Sequence, residues 1–266
     1  MTRDNVVPVV QLHRVTKVYH AGQNRTTAAH RIWFHGPAST LHLLLGPSGS
    51  GKTTLLALMA GFLRPTTGRV LLFGRDIAHC SEEERQRMRA GKIGFVFQSF
   101  RLISPLTVGQ NVEQVLRFGR VPRGERLKRV RQTLQDLSIE HLSERFPETL
   151  SQGEKQRVAI ARAIVHEPSL VLADEPTANL ESRQGAEVIE LLQEYARNKG
   201  ACVVVASHDL RLEPRADSVY WIEDGTLRAV GSHQRKKQTR LTMVEGQSAI
   251  VQCFQQNRKP RVQRGS

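Results

Sequence analysis

Nine consecutive residues, Gly46-Pro47-Ser48-Gly49-Ser50-Gly51-Lys52-Thr53-Thr54, follow the pattern G-x-x-x-x-G-K-T. Their glycines let backbone N–H groups turn inward around phosphate oxygens, and a helix starting inside the motif adds the positive end of its dipole. Lys52 brings a point charge to β- and γ-phosphates, and the Thr53 hydroxyl can ligate Mg²⁺. Much later in the chain, Leu170-Val171-Leu172-Ala173 delivers two adjacent carboxylates, Asp174 and Glu175. One can serve the shell of a metal while the other polarises an attacking water. The alternative is that the acid pair only caps a turn before Pro176. The phosphate loop weighs against it, because a bound triphosphate calls for both metal and water chemistry.

Both groups must be presented at the same edge of a sheet. An apolar run over 41–45 precedes the phosphate loop and a helical pattern over 53–60 follows it, while 170–173 reads as a buried strand. In an open α/β sheet, ligands sit beyond the carboxyl ends of such strands. The expected fold class is therefore α/β: a P-loop NTPase core with a mostly parallel sheet, an antiparallel β flank and a helical insert subdomain. Residues 9–40 and 69–73 read as short strands broken by Gly and Pro, forming that flank. Ser81 with Glu84, and Thr107 with Gln110, have the spacing of capping boxes that open helices. From 107 to 148 the pattern is mostly helical, with Val108, Val112, Val115 and Leu116 on one stripe and Leu127, Val130, Leu134 and Leu137 on the next. This lies within an insert spanning about 99–165. A strand resumes near Cys202 after a helix over 181–198, and 218–222 with 226–230 reads as a closing hairpin. The domain expectation is 1–230, followed by a basic tail over 231–266.

With these elements placed, residues 10–231 resemble the ATP-binding cassette (ABC) ATPases. Leu150-Ser151-Gln152-Gly153-Glu154 resembles the signature motif L-S-G-G-Q. Gln98, ending the strand over 93–97, matches the Q-loop; His208, after 202–206, matches the switch histidine. Tyr19 looks like the aromatic that stacks on adenine, and Ala178-Asn179-Leu180-Glu181 occupies the D-loop position. Singly, such a Gln is a solvated strand end, Ser207-His208-Asp209 a polar turn, and Tyr19 a packing residue; six pieces in the family's order select the other reading.

The resemblance implies ATP and Mg²⁺ as ligands, with the nucleotide held by Tyr19, the phosphate loop, Gln98 and Asp174. Thr53, Gln98 and Asp174 (through water) would serve the metal, Glu175 would polarise the hydrolytic water, and His208 would read the γ-phosphate. Ser151, Gly153 and Glu154 would meet ATP on a second ATP-binding subunit, expected to be a copy of this chain. Closure of that dimer would drive a transmembrane permease, placing the chain at the cytoplasmic, inner face of the cell membrane. Residues 93–112 and 172–180 are similar to the lipoprotein-release and macrolide-efflux branch. Two positions depart from the family pattern: Gln152 in place of a signature glycine, and Glu181 in place of the D-loop Asp. Both lie where two subunits would meet, so they bear on rate and symmetry rather than on the Lys52, Asp174 and Glu175 chemistry.

The length of 266 residues suits one α/β domain with a subdomain rather than two cassettes. Of the net charge of +14, half resides in 231–266, where eight Lys/Arg face Glu245 alone. Such a tail reads as a solvated extension or as a contact for anionic lipid. Cys80, Cys202 and Cys253 are odd in number and lack metal-ligand spacing, as expected of reduced thiols. No stretch approaches the ~18 apolar residues of a membrane span, and residues 1–5 lack the apolar core of a secretory signal. A cassette acting on DNA or ribosomes instead has only the basic tail in its favour. Ser151 lies just 99 positions after Lys52, which leaves no room for the long coiled coil of chromosome-type members, and no nucleic-acid partner is expected. A degenerate, regulatory ATPase would rest on Gln152 and Glu181 alone.

Overall fold

A computed structural model describes residues 7–22 and 24–232. The tail from His233 onward, Cys253 included, lies outside the described residues. The first unit of the chain runs to Ser232.

The centre of the fold follows from three apolar runs. β3 (Thr40–Leu45), β7 (Leu170–Asp174) and β8 (Cys202–Ser207) are buried along nearly their whole length, as strands covered on both faces must be. With β6 (Ile93–Val96), β9 (Ser218–Glu223) and β10 (Thr226–Ser232) they form a six-stranded sheet in the order β10-β9-β3-β8-β7-β6. All pairs are parallel except the β9–β10 hairpin.

The two-residue alternation of a strand divides the core. Leu41, Leu43 and Leu45, with Val171 and Val203, face one side, and Leu44, Leu172 and Val204 face the other. The first side is covered by α3 (Val108–Phe118), α4 (Arg123–Asp136), α5 (Gln152–Ile164) and α6 (Ser182–Lys199). The second is covered by α1 (Lys52–Met59), α2 (Glu82–Lys92) and an antiparallel sheet of β2-β1-β4-β5.

That flank corrects one expectation. In place of short strands over 9–40 it has β1 (Val10–Ala21) and β2 (Asn24–Gly36), of 12 and 13 residues. The short strand expected at 69–73 is present as β4 (Thr67–Leu72), paired with β5 (Arg75–Asp76). Pairing between β1 and β2 slips three times. Each bulge breaks the polar–apolar alternation, so it reads in the sequence like a strand end although the ladder continues.

Both expected capping boxes form, at Ser81/Glu84 and Thr107/Gln110. Buried Asn111 ties the approach to α3: its amide donates to the carbonyls of Ile103, Leu106 and Thr107 and its oxygen accepts from Ile103 N. The stripe on α4 is shorter than expected. Val130, Leu134 and Leu137 are buried but Leu127 is 52% exposed. At that turn the α4–α3 contact is made instead by Arg126, whose guanidinium donates to Glu113 and to the Val121 carbonyl at 2.7 Å each.

His42 is a polar residue in the second core face. Its Nε2 lies 2.8 Å from the Thr40 hydroxyl, its Nδ1 has no partner among the described residues, and Phe34 and Tyr220 surround the ring. Burial lowers its pKa to about 4, against an opposing pull from Asp217 and a smaller lowering from His35. The folded state therefore keeps His42 neutral while the unfolded chain takes up a proton near pH 6.5. The stability this confers is complete above the unfolded value and is lost as pH falls towards about 4. Between pH 7.5 and 5 the loss is about 2 kcal/mol. Urea unfolding at the two pH values should show that loss reduced in His42→Phe, with the lowered His166 acting equally in both proteins. Equal losses would place the pH dependence elsewhere.

Candidate functional site

The phosphate loop turns between the end of β3 and the start of α1. Gly51 holds φ 104°, and a Cβ there would lie 2.2 Å from the Ala28 carbonyl oxygen, so only glycine lets the loop pack on β2. Ser50 is buried beneath the loop, where its carbonyl accepts from Gly225 N at the β9–β10 turn. Lys52, also buried, donates from Nζ to the carbonyls of Gly46 at 2.8 Å and Pro47 at 2.9 Å.

The acid pair arrives from β7. Asp174 is the last residue of the strand and points toward Thr53, whose side chain hydrogen-bonds it. Burial pushes the Asp174 carboxyl up, the Thr53 hydrogen bond opposes this, and neighbouring Glu175 raises it further while Lys52 lowers it. Glu175 leaves the strand with φ 48°, its N–H held by the Ala206 carbonyl at 2.9 Å. A left-handed glutamate costs on the order of 1 kcal/mol. Here it sets one carboxylate oxygen 3.5 Å from Lys52 Nζ and the other 2.9 Å from His208 Nδ1.

These groups line one hollow of about 620 Å³. Its wall takes in the loop at Pro47, Ser48, Gly49 and 51–54, together with Ala28, Gln98, Asp174, Glu175 and His208. Tyr19 stands next to it, 40% exposed, with its hydroxyl 3.5 Å from Thr54 Oγ1 and Lys17 Nζ 5.3 Å from its ring centroid.

The signature residues are elsewhere. Ser151, Gly153 and Glu154 line a separate hollow of about 150 Å³ with Leu180 and Gln184. Ser151 caps α5, and Glu154 reaches back: its carboxylate accepts from Ser151 N at 2.8 Å and from Ser151 Oγ at 2.9 Å. Those bonds hold the Glu154 carboxyl below its usual range. Gln152 is the first residue of α5 and is exposed.

Three features were not anticipated from the sequence. The capping box at Ser151/Glu154 has the same spacing as the other two and was legible as such. Nothing in the sequence signals the Asn179 amide donating to the Gln98 carbonyl at 3.4 Å, which ties the segment after Glu175 to the residues that follow β6. The same holds for Arg162 of α5, which grips the Phe100 carbonyl at 2.6 Å and the Arg101 carbonyl beside it.

A phosphate loop at the carboxyl edge of a parallel sheet, facing an Asp-Glu pair, defines a P-loop nucleoside triphosphatase. The ABC transporter family profile matches residues 29–178. The ATP-binding protein YtrE of Bacillus subtilis is 40% identical over 185 residues, covering 70% of this chain and 80% of that protein. An uncharacterized ABC transporter ATP-binding protein of Thermotoga maritima is 36% identical over 222 residues, covering 84% and 94% of the two chains. Among solved structures, the dimeric cassette MJ0796 in a post-hydrolysis state with ADP and Pi superposes with a TM-score of 0.77. It shares 35% identity over 83% of this chain and 97% of its own. The cbiO1 subunit of the Clostridium perfringens cbiONQ transporter complex gives 0.77 at 30% identity, over 88% and 92%. The chain belongs to the ABC transporter family, as an ATP-binding and ATP-hydrolysing subunit.

Proposed function

We propose that two copies of this chain close head-to-tail over two ATP molecules and that this closure drives a separate transmembrane permease. The observation that carries the reading is the separation of the two half-sites. Lys52, Glu175 and His208 meet in one hollow while Ser151 and Gly153 line another. A signature loop beginning a helix offers N–H groups to a phosphate its own chain does not bring to it.

In this reading Lys52 releases the Gly46 and Pro47 carbonyls to take β- and γ-phosphate oxygens. Glu175 holds the attacking water and takes its proton, and His208 reads the γ-phosphate. Tyr19 supports the adenine. The donor set for a cation, the Thr53 hydroxyl, the Gln98 amide oxygen and the Asp174 carboxylate, consists entirely of hard oxygens and suits Mg²⁺. Among the described residues no group of three or more His, Cys, Asp or Glu could hold a metal; Mg²⁺ takes its remaining ligands from phosphate and water. When bound it neutralises the charge that builds on the transferring phosphoryl group.

The cassette is proposed to span 1–230, with its helical insert at about 99–165 contacting the permease and 231–266 as an accessory tail; β10 runs on to Ser232. Among the described residues no helix is long and apolar enough to cross a membrane, so a partner would hold the chain at the inner face. The segments over 93–112 and 172–180 support assignment to the lipoprotein-release and macrolide-efflux branch.

Light scattering tests the closure. Glu175→Gln should be monomeric alone and dimeric with Mg·ATP, because each nucleotide bridges the interface and so stabilises only the dimer. A dimer indifferent to ATP would sink the head-to-tail reading.

A further inference from the structure

A third hollow, of about 460 Å³, lies on the antiparallel sheet and shares no lining residue with the one at the phosphate loop. On this sheet Leu12, Val15, Ile32, Phe34 and Val70 turn into the core. The intervening residues turn outward, and three adjacent strands bring His13, Arg14, Arg31, Trp33 and Arg69 to one place. The volume is in the range of small-molecule sites.

The backbone converges here by bulging. His13 and Arg14 of β1 oppose Trp33 alone between the pairs Leu12–Phe34 and Val15–Ile32. On the other side Gly68 alone opposes Arg14 and Val15. Arg14 and Arg31 hold φ of 51° and 48° and Gly68 holds 85°, where a Cβ would lie 2.4 Å from the Arg14 carbonyl oxygen. Left-handed arginines are strained, and bulges of this kind re-aim side chains.

His13 is engaged, its Nε2 lying 2.9 Å from Gln11 Oε1, but the three arginines have no anionic partner among the described residues. The lining contains no carboxylate. Among the described residues Arg14, Arg31 and Arg69 form no ion pair, and their guanidinium groups donate no hydrogen bond. Trp33 is 61% exposed and stacks on His13 with ring centroids 5.5 Å apart. Three like charges beside an open indole ask for an anion that carries a planar ring. Guanidinium forks match phosphate oxygens, and aromatic faces take bases. Three guanidinium charges balance a metal-free mono- or diphosphate, and the lining offers no carboxylate to a cation.

We propose that this hollow is a second nucleotide site, distinct from the phosphate loop, that binds a nucleoside mono- or diphosphate with its base on Trp33 and its phosphates on Arg14, Arg31 and Arg69.

The test uses the full chain carrying Lys52→Ala, which weakens the phosphate loop, titrated with ADP in EDTA while tryptophan fluorescence is followed. Saturable quenching with Kd below about 1 mM is expected. Adding Trp33→Leu should abolish the quenching and weaken binding, read by equilibrium dialysis, about tenfold. Arg69→Gln should weaken it about fivefold. Inorganic pyrophosphate should bind at least about tenfold more weakly than ADP, since it lacks the ring. With Lys52 intact, Arg69→Gln should leave ATP hydrolysis and Tm unchanged, showing that the exposed substitution is not a folding defect. The proposal is overturned if ADP binding survives Trp33→Leu and Arg69→Gln unchanged, or if pyrophosphate binds as tightly as ADP. It is also overturned if the folded protein shows no binding, or if a short single-stranded oligonucleotide binds far more tightly than ADP, which would assign the surface to nucleic acid.

Discussion

Glu175→Gln should lower ATP turnover by about 10²–10⁴-fold while leaving nucleotide bound. The substitution keeps the side chain's shape and can keep a hydrogen bond to His208, now 2.9 Å from the carboxylate. It removes only the charge and the proton-accepting capacity that the attacking water needs. ATP affinity should hold or rise, because the carboxylate 3.5 Å from Lys52 competes with phosphate for that ammonium. Phosphate release at saturating Mg·ATP, paired with a nucleotide-binding titration, separates the two effects. Near-normal hydrolysis would remove Glu175 from the role of base.

Lys52→Ala should act on binding first, reducing ATP affinity by about 10²-fold or more through the loss of charge-assisted hydrogen bonds to two phosphates. Lys52 is the sole cationic residue in 46–54, its side chain only 7% exposed and its Nζ held by two loop carbonyls, so the loop has no second cation to take its place. The change also removes the smaller of the two influences that hold the Asp174 carboxyl down, the Thr53 hydrogen bond being the larger, so the carboxyl should rise further under burial and Glu175. Direct titration with ATP reads the result, and unchanged affinity would contradict the phosphate-loop assignment. The pair of variants is diagnostic because one separates hydrolysis from binding and the other does not.

Much of this molecule was legible in the residues alone because its central elements are defined by local rules. Leu41 to Leu45 and Cys202 to Ala206 are nearly continuous apolar runs, which only a doubly covered strand accommodates. The capping boxes at Ser81 and Thr107 are short-range hydrogen-bond patterns, and both form. Leu127 and the long flank strands were misread for the same kind of reason. Whether a stripe is covered, or a bulged ladder continues, depends on a neighbour distant in sequence.

By itself the sequence determined the chemistry on offer and its order: a loop for phosphate, a lysine, an acid pair, a glutamine, a histidine and a signature serine. Tertiary structure alone decided which of them meet. It brought Glu175 between Lys52 and His208 through a left-handed turn at the end of β7. It kept Ser151 in a different hollow. It gathered Arg14, Arg31 and Arg69 around Trp33 from three strands. Residue type and spacing act along the chain, whereas these meetings depend on sheet order, bulges and a backbone dihedral, which are settled only when the whole core packs.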